Sequence, residues 1–160
     1  MDDCQAGFRA GRRTAEQVTN LRILCEKYME HGSKVFPNFV DYRKEFDRVW
    51  HYAIWAELRN YGIDENITRA LEQLYAKSTS KARIGTKFSE KFLCSVGVRQ
   101  GCVLSPNLFN VFLEEIGSRK VEELTGGVCV QGLLVNNLRF ADDIALITDN
   151  SNKLQDLTNK

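Results

Sequence analysis

The stretch Leu138-Arg139-Phe140-Ala141-Asp142-Asp143-Ile144-Ala145-Leu146-Ile147 sets two adjacent carboxylates between two strongly apolar half-strands. In a continuous strand neighbouring side chains point to opposite faces, so one acid would be driven into the core. A hairpin turn at the acids removes the conflict. The pattern therefore predicts two strands joined at Asp142-Asp143, with both carboxylates projecting from one end of a sheet. Two like charges held there call for a neutralising cation, and a divalent metal is the natural partner.

Asp41 is the second informative acid, because Phe39-Val40-Asp41-Tyr42 reads as a short buried strand that ends in a carboxylate just before a helical segment. Three carboxylates on adjacent strand ends suit Mg²⁺, which takes few protein oxygens and keeps positions for water and phosphate. Two such ions about 4 Å apart activate an attacking oxygen and stabilise a leaving one in phosphoryl transfer. On these residues alone the alternative stays open: Asp142-Asp143 as an ordinary polar turn and Asp41 as an ordinary helix cap.

The rest of the chain predicts a single α+β domain. With 160 residues and 43% hydrophobic side chains it can bury one modest core. Thr14 and Gln17 have the form of a capping box ahead of a helix over 14–31, which Gly32 closes. Phe46 to Leu58 carries an apolar helical stripe that ends at Gly62. Asp64 caps a third helix with Ile67, Leu71, Leu74 and Tyr75 inward, and 82–95 reads as a hairpin with its basic residues outward. Ser105-Pro106 starts a helix that buries Leu108, Phe109, Phe112, Leu113 and Ile116, and Gly126-Gly127 ends it. Val128 to Val135 and Leu138 to Thr148 read as strands, and Ser151 caps a last helix.

Composition excludes several classes. The five cysteines, Cys4, Cys25, Cys94, Cys102 and Cys129, are scattered without a CxxC pair, which argues against a disulfide framework or a structural zinc site. No apolar run spans a bilayer and the charged start is no signal core, so the expectation is a soluble, intracellular chain with no membrane partner. A net charge of +1 does not by itself point to nucleic acid. The basic residues do cluster, at Arg9, Arg12 and Arg13 and again at Lys77, Lys81, Arg83, Lys87 and Lys91, where solvated surface is the competing reading.

Four segments, in order, resemble the reverse transcriptases, specifically the polymerases of non-LTR (LINE-type) retrotransposons. Gln5 to Thr14, QAGFRAGRRT, resembles the family's QxGFRxGRxT segment. Phe39 to Asp47, FVDYRKEFD, resembles the first catalytic motif, FxDxxKAFD; Gly97 to Pro106, GVRQGCVLSP, resembles GxxQGxxxSP. Phe140-Ala141-Asp142-Asp143 resembles the YxDD box with Phe for Tyr. The resemblance implies a palm-type antiparallel sheet packed against helices, and an RNA-directed DNA polymerase working on an RNA template, a DNA primer and dNTPs.

Carried over residue by residue, it implies that Asp41, Asp142 and Asp143 are the catalytic acids. Asp41 and Asp142 would bridge two Mg²⁺ ions, or Mn²⁺ in their place, with Asp143 beside them. Phe46 is implied as the steric gate against ribonucleotides, against a plain core aromatic. Gln100 and Gly101 are implied to lie on the nascent base pair, against a strand-to-helix loop with a glycine turn. Phe140 would support the turn near the primer end, and Arg9, Arg12 and Arg13 would meet template phosphates unless they form a solvated loop.

Glu45 departs from the small residue usual before the motif's Phe-Asp and adds a charge near the expected nucleotide site. The family pattern also makes 1–160 a partial domain, the end of the fingers plus the palm, truncated before the upstream fingers strands and after the catalytic hairpin. Exposed apolar surface, self-association and nuclear action follow as further expectations. Two functional classes result: a polymerase module, or a non-catalytic retrotransposon-derived remnant that at most binds nucleic acid or a protein partner. Mg²⁺-dependent primer extension separates them. An unrelated zinc or magnesium enzyme lacks a His-rich or Cys-rich ligand set.

Overall fold

A computed structural model describes residues 4–121, 126–130 and 132–159. The chain forms two compact units, one from 1–43 and 116–160 and the other from 44–115.

The first unit is built on a three-stranded antiparallel sheet of β1 (Phe36–Val40), β8 (Asn137–Phe140) and β9 (Asp143–Thr148), in the order β1-β9-β8. β1 begins earlier than the motif suggests and stops one residue before Asp41. Its first residues find partners, Phe36 opposite Thr148 and Pro37 opposite Ile147. Pro37 is tolerated because β1 is an edge strand. The strand is also less buried than expected, with Phe39 70% exposed.

Helix α1 (Thr14–Glu30) packs on this sheet, and Leu24, Val128 and Ile147 form a buried cluster ringed by Leu21, Tyr28, Val35, Val130, Val135 and Leu138. Each fully buried Val or Ile contributes about 1.5–3 kcal/mol. The cap of α1 differs from the expected Thr14/Gln17 box. Thr14 is already helical, the Glu16 carboxylate accepts from the Arg13 backbone N–H at 3.3 Å, and Gln17 instead donates to the carbonyls of Cys4 (3.2 Å) and Arg139 (3.3 Å). Gln17 thus ties the helix to the sheet.

The expected single strand Val128 to Val135 is a hairpin of β6 (Val128–Val130) and β7 (Leu133–Val135). Gly132, at φ +84°, supplies the reversal. Asn150, not Ser151, caps α5 (Ser151–Asn159): its Oδ1 accepts the Asn152 N–H at 2.8 Å.

The second unit contains α2 (His51–Asn60), α3 (Glu65–Ala76), the first part of α4 (Ser105–Val121) and two short ladders, β2 (Thr79–Ser80) with β5 (Phe92–Leu93) and β3 (Arg83–Ile84) with β4 (Lys87–Phe88). The helix expected from Phe46 begins only at His51. Glu45–Arg48 is one 3-10 turn after a left-handed Lys44 (φ 56°), and Val49 is extended. The cause is competition for carbonyls: Val98 N–H donates to Phe46 O and Gly97 N–H to Val49 O, both at 2.8 Å. A continuous helix would spend those acceptors on its own next turn.

Asp64 caps α3 as expected, accepting the Asn66 N–H at 2.8 Å. Tyr75 is buried as expected, but Ile67 and Leu74 are exposed and Thr68 is buried in their place. Leu108, Phe109, Phe112 and Leu113 of α4 are buried as the spacing predicts; the Ile116 side chain and the link from α4 to Gly126 lie outside the described residues. In the ladders the basic residues do face out, but so do Ile84, Phe88, Phe92 and Leu93. Two-residue ladders present too little backbone to seat their apolar side chains against a core.

Candidate active site

The register of the first unit brings the three acids together. Val40 pairs with Ile144 and Phe140 with Asp143, so Asp41, one residue past β1, stands level with Asp143. Side-chain alternation then carries Asp41 along the face of Phe39, and Asp143 along the face of Ala145. Asp142 sits between β8 and β9 in a two-residue turn with Ala141. The turn is therefore Ala141-Asp142, one residue earlier than the expected Asp142-Asp143, and Asp143 opens β9.

One oxygen from each of Asp41, Asp142 and Asp143 lies within 4.8 Å of the other two. Asp142 is half-buried and the other two are exposed. Among the described residues no lysine or arginine pairs with any of them. Ligand oxygens on one octahedral Mg²⁺ are at most about 4.2 Å apart, twice the Mg–O distance. A spread of 4.8 Å fits that ion after a small side-chain rotation, and also fits two ions sharing acids. The donor set, all carboxylate oxygen, is that of a hard cation.

Beside the acids a groove of about 240 Å³ opens between α1 and the sheet. Val18, Leu21, Phe39, Leu138 and Phe140 wall it, and Asp41 and Asp143 stand at it. Phe140 therefore presents an apolar surface on the acids' side of the sheet.

The turn has support that local sequence patterns do not reveal. Ala141 is buried with φ +55°, a conformation that two-residue hairpin loops usually give to Gly, Asn or Asp. Gln5, also buried, bonds its backbone N–H and C=O, and the segment from Cys4 runs alongside β8 through a parallel bridge from Gln5 to Arg139. Arg139 is itself buried and donates from Nε to Asn137 Oδ1 at 2.7 Å. Arg9 turns inward to the Gln5 carbonyl at 3.0 Å; Arg12 and Arg13 are exposed at the start of α1.

The remaining residues singled out in the sequence lie in the second unit. Phe46 stacks on Phe109, centroids 4.3 Å apart and planes 13° from parallel. Gln100 and Gly101 are exposed in the loop before α4. Gly101 has φ +80° and open space around it, so the glycine serves a left-handed turn. Cys102 follows; the backbone N–H of Leu104, then those of Ser105 and the Arg99 charge, hold its thiol below its usual range.

An acid-tipped hairpin beside a third strand-end acid, on a helix-covered antiparallel sheet, is the arrangement that the sequence resemblance implies for a palm. The chain belongs to the reverse transcriptase (RNA-dependent DNA polymerase) family, whose model matches residues 1–160. Its relatives are polymerases of non-LTR retrotransposons. It is 34% identical over 110 residues to the Pol polyprotein of the type-1 retrotransposable element R2 of Popillia japonica, covering 69% of this chain and 18% of that protein. It is 28% identical over 159 residues to the Pol polyprotein of element R2DM of Drosophila melanogaster, covering 99% of this chain and 15% of that one. The chain thus spans less than a fifth of these relatives.

The fold is similar to that of a telomerase from Candida tropicalis solved in complex with a fragment of telomeric RNA, with a TM-score of 0.73 at 13% identity over 98% of this chain and 27% of the telomerase. No described helix is long and apolar enough to cross a membrane.

Proposed function

We propose that the chain is the palm module, with the end of the fingers, of an RNA-directed DNA polymerase that extends a DNA primer on an RNA template. The observation that carries this is the meeting of Asp41, Asp142 and Asp143 within 4.8 Å, in a chain that matches the reverse transcriptase family from end to end. Relatives named RNA-directed DNA polymerase, from transposon BS and from the mobile element jockey, support the choice of substrate. Mobile-element ancestry supports action in the nucleus.

Asp41 and Asp142 would hold two Mg²⁺ ions, or Mn²⁺, with Asp143 beside them. When bound, such ions supply Lewis acidity at the attacking and leaving oxygens. The protein's own share is positional. Strand β1 fixes Asp41, the hairpin fixes Asp142 and Asp143, and Phe140 backs the primer end from the groove wall. Gln100 and Gly101 are assigned to the nascent base pair, and Arg12 and Arg13, with Arg9 behind them, to the template backbone.

Phe46 is assigned as the gate against the ribose 2′-hydroxyl. Its stack on Phe109 holds the ring in one place, as steric exclusion requires. Phe46→Ala is expected to raise ribonucleotide relative to deoxyribonucleotide incorporation by about 10- to 100-fold, on the order of 1.4–2.7 kcal/mol of discrimination. Competition between rNTP and dNTP in single-nucleotide addition measures it, and an unchanged ratio returns Phe46 to the role of a core aromatic.

The apolar side chains exposed on the ladders, Ile84 at 83% and Phe88 at 63%, favour association with a second copy or with neighbouring polypeptide. A chain that sediments as a monomer and binds no hydrophobic dye would count against this. The polymerase reading itself is tested with a primer joined to its RNA template as a hairpin, at saturating dNTP and Mg²⁺. Single-nucleotide addition by the wild-type chain and none by Asp142→Ala is the expected result; equal behaviour of the two folded chains sinks it.

A further inference from the structure

We infer that Gln5 and Gly7 are positioning residues of the acidic site, locking the backbone turn at Ala141 so that Asp142 and Asp143 face Asp41. The inference rests on the reading of these acids as a cation site and adds residues outside the acidic trio.

The Gln5 side chain is committed to this turn. It is 3% exposed, and its carboxamide spans Ala141 from both sides: Oε1 accepts the Ala141 N–H at 2.9 Å and Nε2 donates to the Ala141 carbonyl at 3.2 Å. The same Oε1 takes the Gly7 N–H at 2.8 Å. Acceptor and donor are both used, a pairing that a carboxylate of equal length cannot reproduce, since it has no hydrogen to offer the carbonyl. Backbone bonds on either side, Arg139 N–H to Cys4 O and Ala6 N–H to Arg139 O, both 2.9 Å, fix the level at which Gln5 enters.

Gly7 completes the clamp by the closeness of its backbone. A Cβ built there would lie 2.0 Å from the Ala141 nitrogen and 2.6 Å from its Cα. No side chain fits without moving the turn. Ala141 is an L-residue at φ +55°, a conformation that costs about 1–2 kcal/mol and persists where the surroundings over-determine it. Here the surroundings are Gln5 and Gly7. The next two residues are Asp142 and Asp143, so a rotation at Ala141 swings both carboxylates relative to Asp41, which is carried separately on β1. This is the geometry of an outer-sphere support, whose loss typically costs about 10- to 100-fold in metal affinity.

The test compares the wild-type chain with Gln5→Ala, Gln5→Glu and Asp142→Ala. Two quantities are read: Mn²⁺ affinity from the electron paramagnetic resonance of free Mn²⁺, and hydrogen exchange at individual amides. Both Gln5 variants are expected to raise the Mn²⁺ dissociation constant about 10- to 100-fold. In both, the Ala141 amide should exchange at least about 10-fold faster while the β1–β9 ladder amides keep their protection. Asp142→Ala should weaken Mn²⁺ binding with the Ala141 amide still protected.

A wild-type chain that does not bind Mn²⁺, or that binds it as well without Asp142, overturns the cation-site reading and this inference with it. Wild-type affinity in a folded Gln5→Ala or Gln5→Glu chain overturns the clamp alone. If both variants lose ladder protection as well, Gln5 is a general structural residue and the inference fails.

Discussion

Asp142→Ala is expected to lower single-nucleotide addition by about 10³-fold or more, roughly 4 kcal/mol of transition-state stabilisation, with the melting temperature unchanged or slightly raised. The two halves of this result have separate causes. Asp142 is the half-buried member of the trio and the one at the hairpin tip, so its removal takes one of the three carboxylates from the candidate site. Yet among the described residues it has no ion-pair partner to lose. Three like charges within 4.8 Å disfavour the metal-free chain, and deleting one relieves that repulsion. Activity and stability should therefore move independently, which thermal melts run beside the addition assay will check. Loss of both together would make Asp142 a structural residue.

Gly97→Ala is expected to cost about 2–4 kcal/mol of stability. The position combines two demands. Its φ of +87° is strained for any residue with a Cβ, and that Cβ would lie 2.9 Å from the Asp47 carbonyl oxygen. The Asp47 backbone cannot easily yield, because Gly97 N–H and Val98 N–H bond the flanking carbonyls of Val49 and Phe46, and Val49 is fully buried. Gly85→Ala is the control. It has φ +61° with nothing within 4 Å of the added Cβ, so it should cost only about 1 kcal/mol. Denaturant titration of the two variants separates conformational strain from the close contact, and equal losses would remove the contact from the account.

The acids were legible in the sequence because the chemistry is local. A pair of carboxylates inside an apolar strand pattern admits few arrangements, and Asp41 ends a strand of similar pattern. Their convergence then follows from antiparallel register. The helices α1, α3 and α4 were legible as helices because 3.6-residue spacing is written within one turn or two, although the cap of α1 and part of the buried face of α3 were not.

What stayed illegible depends on distant partners. Phe46 to Leu58 has helical apolar spacing, but two of its carbonyls are taken by a loop about fifty residues on, and the first turn forms no α-helix. Val128 to Val135 reads as one apolar run interrupted only by Gln131-Gly132, a break short enough to conceal the reversal at Gly132. Gln5 is the clearest case. Its partner, Ala141, is 136 residues away, and neither periodicity nor local charge could connect them. The motif match marked Gln5 to Thr14 as a unit, whereas only the folded chain ties Gln5 and Gly7 to the acid-bearing turn.

The most direct test of the central claim, that Asp41, Asp142 and Asp143 form one divalent-cation site, is amide NMR of the wild-type chain titrated with Mn²⁺ and then with excess Mg²⁺. Low Mn²⁺ is expected to broaden selectively the amides of Asp41 and of residues 141–144, and excess Mg²⁺ to restore them. Broadening spread over other surface carboxylates, or none at the hairpin tip, would contradict the claim.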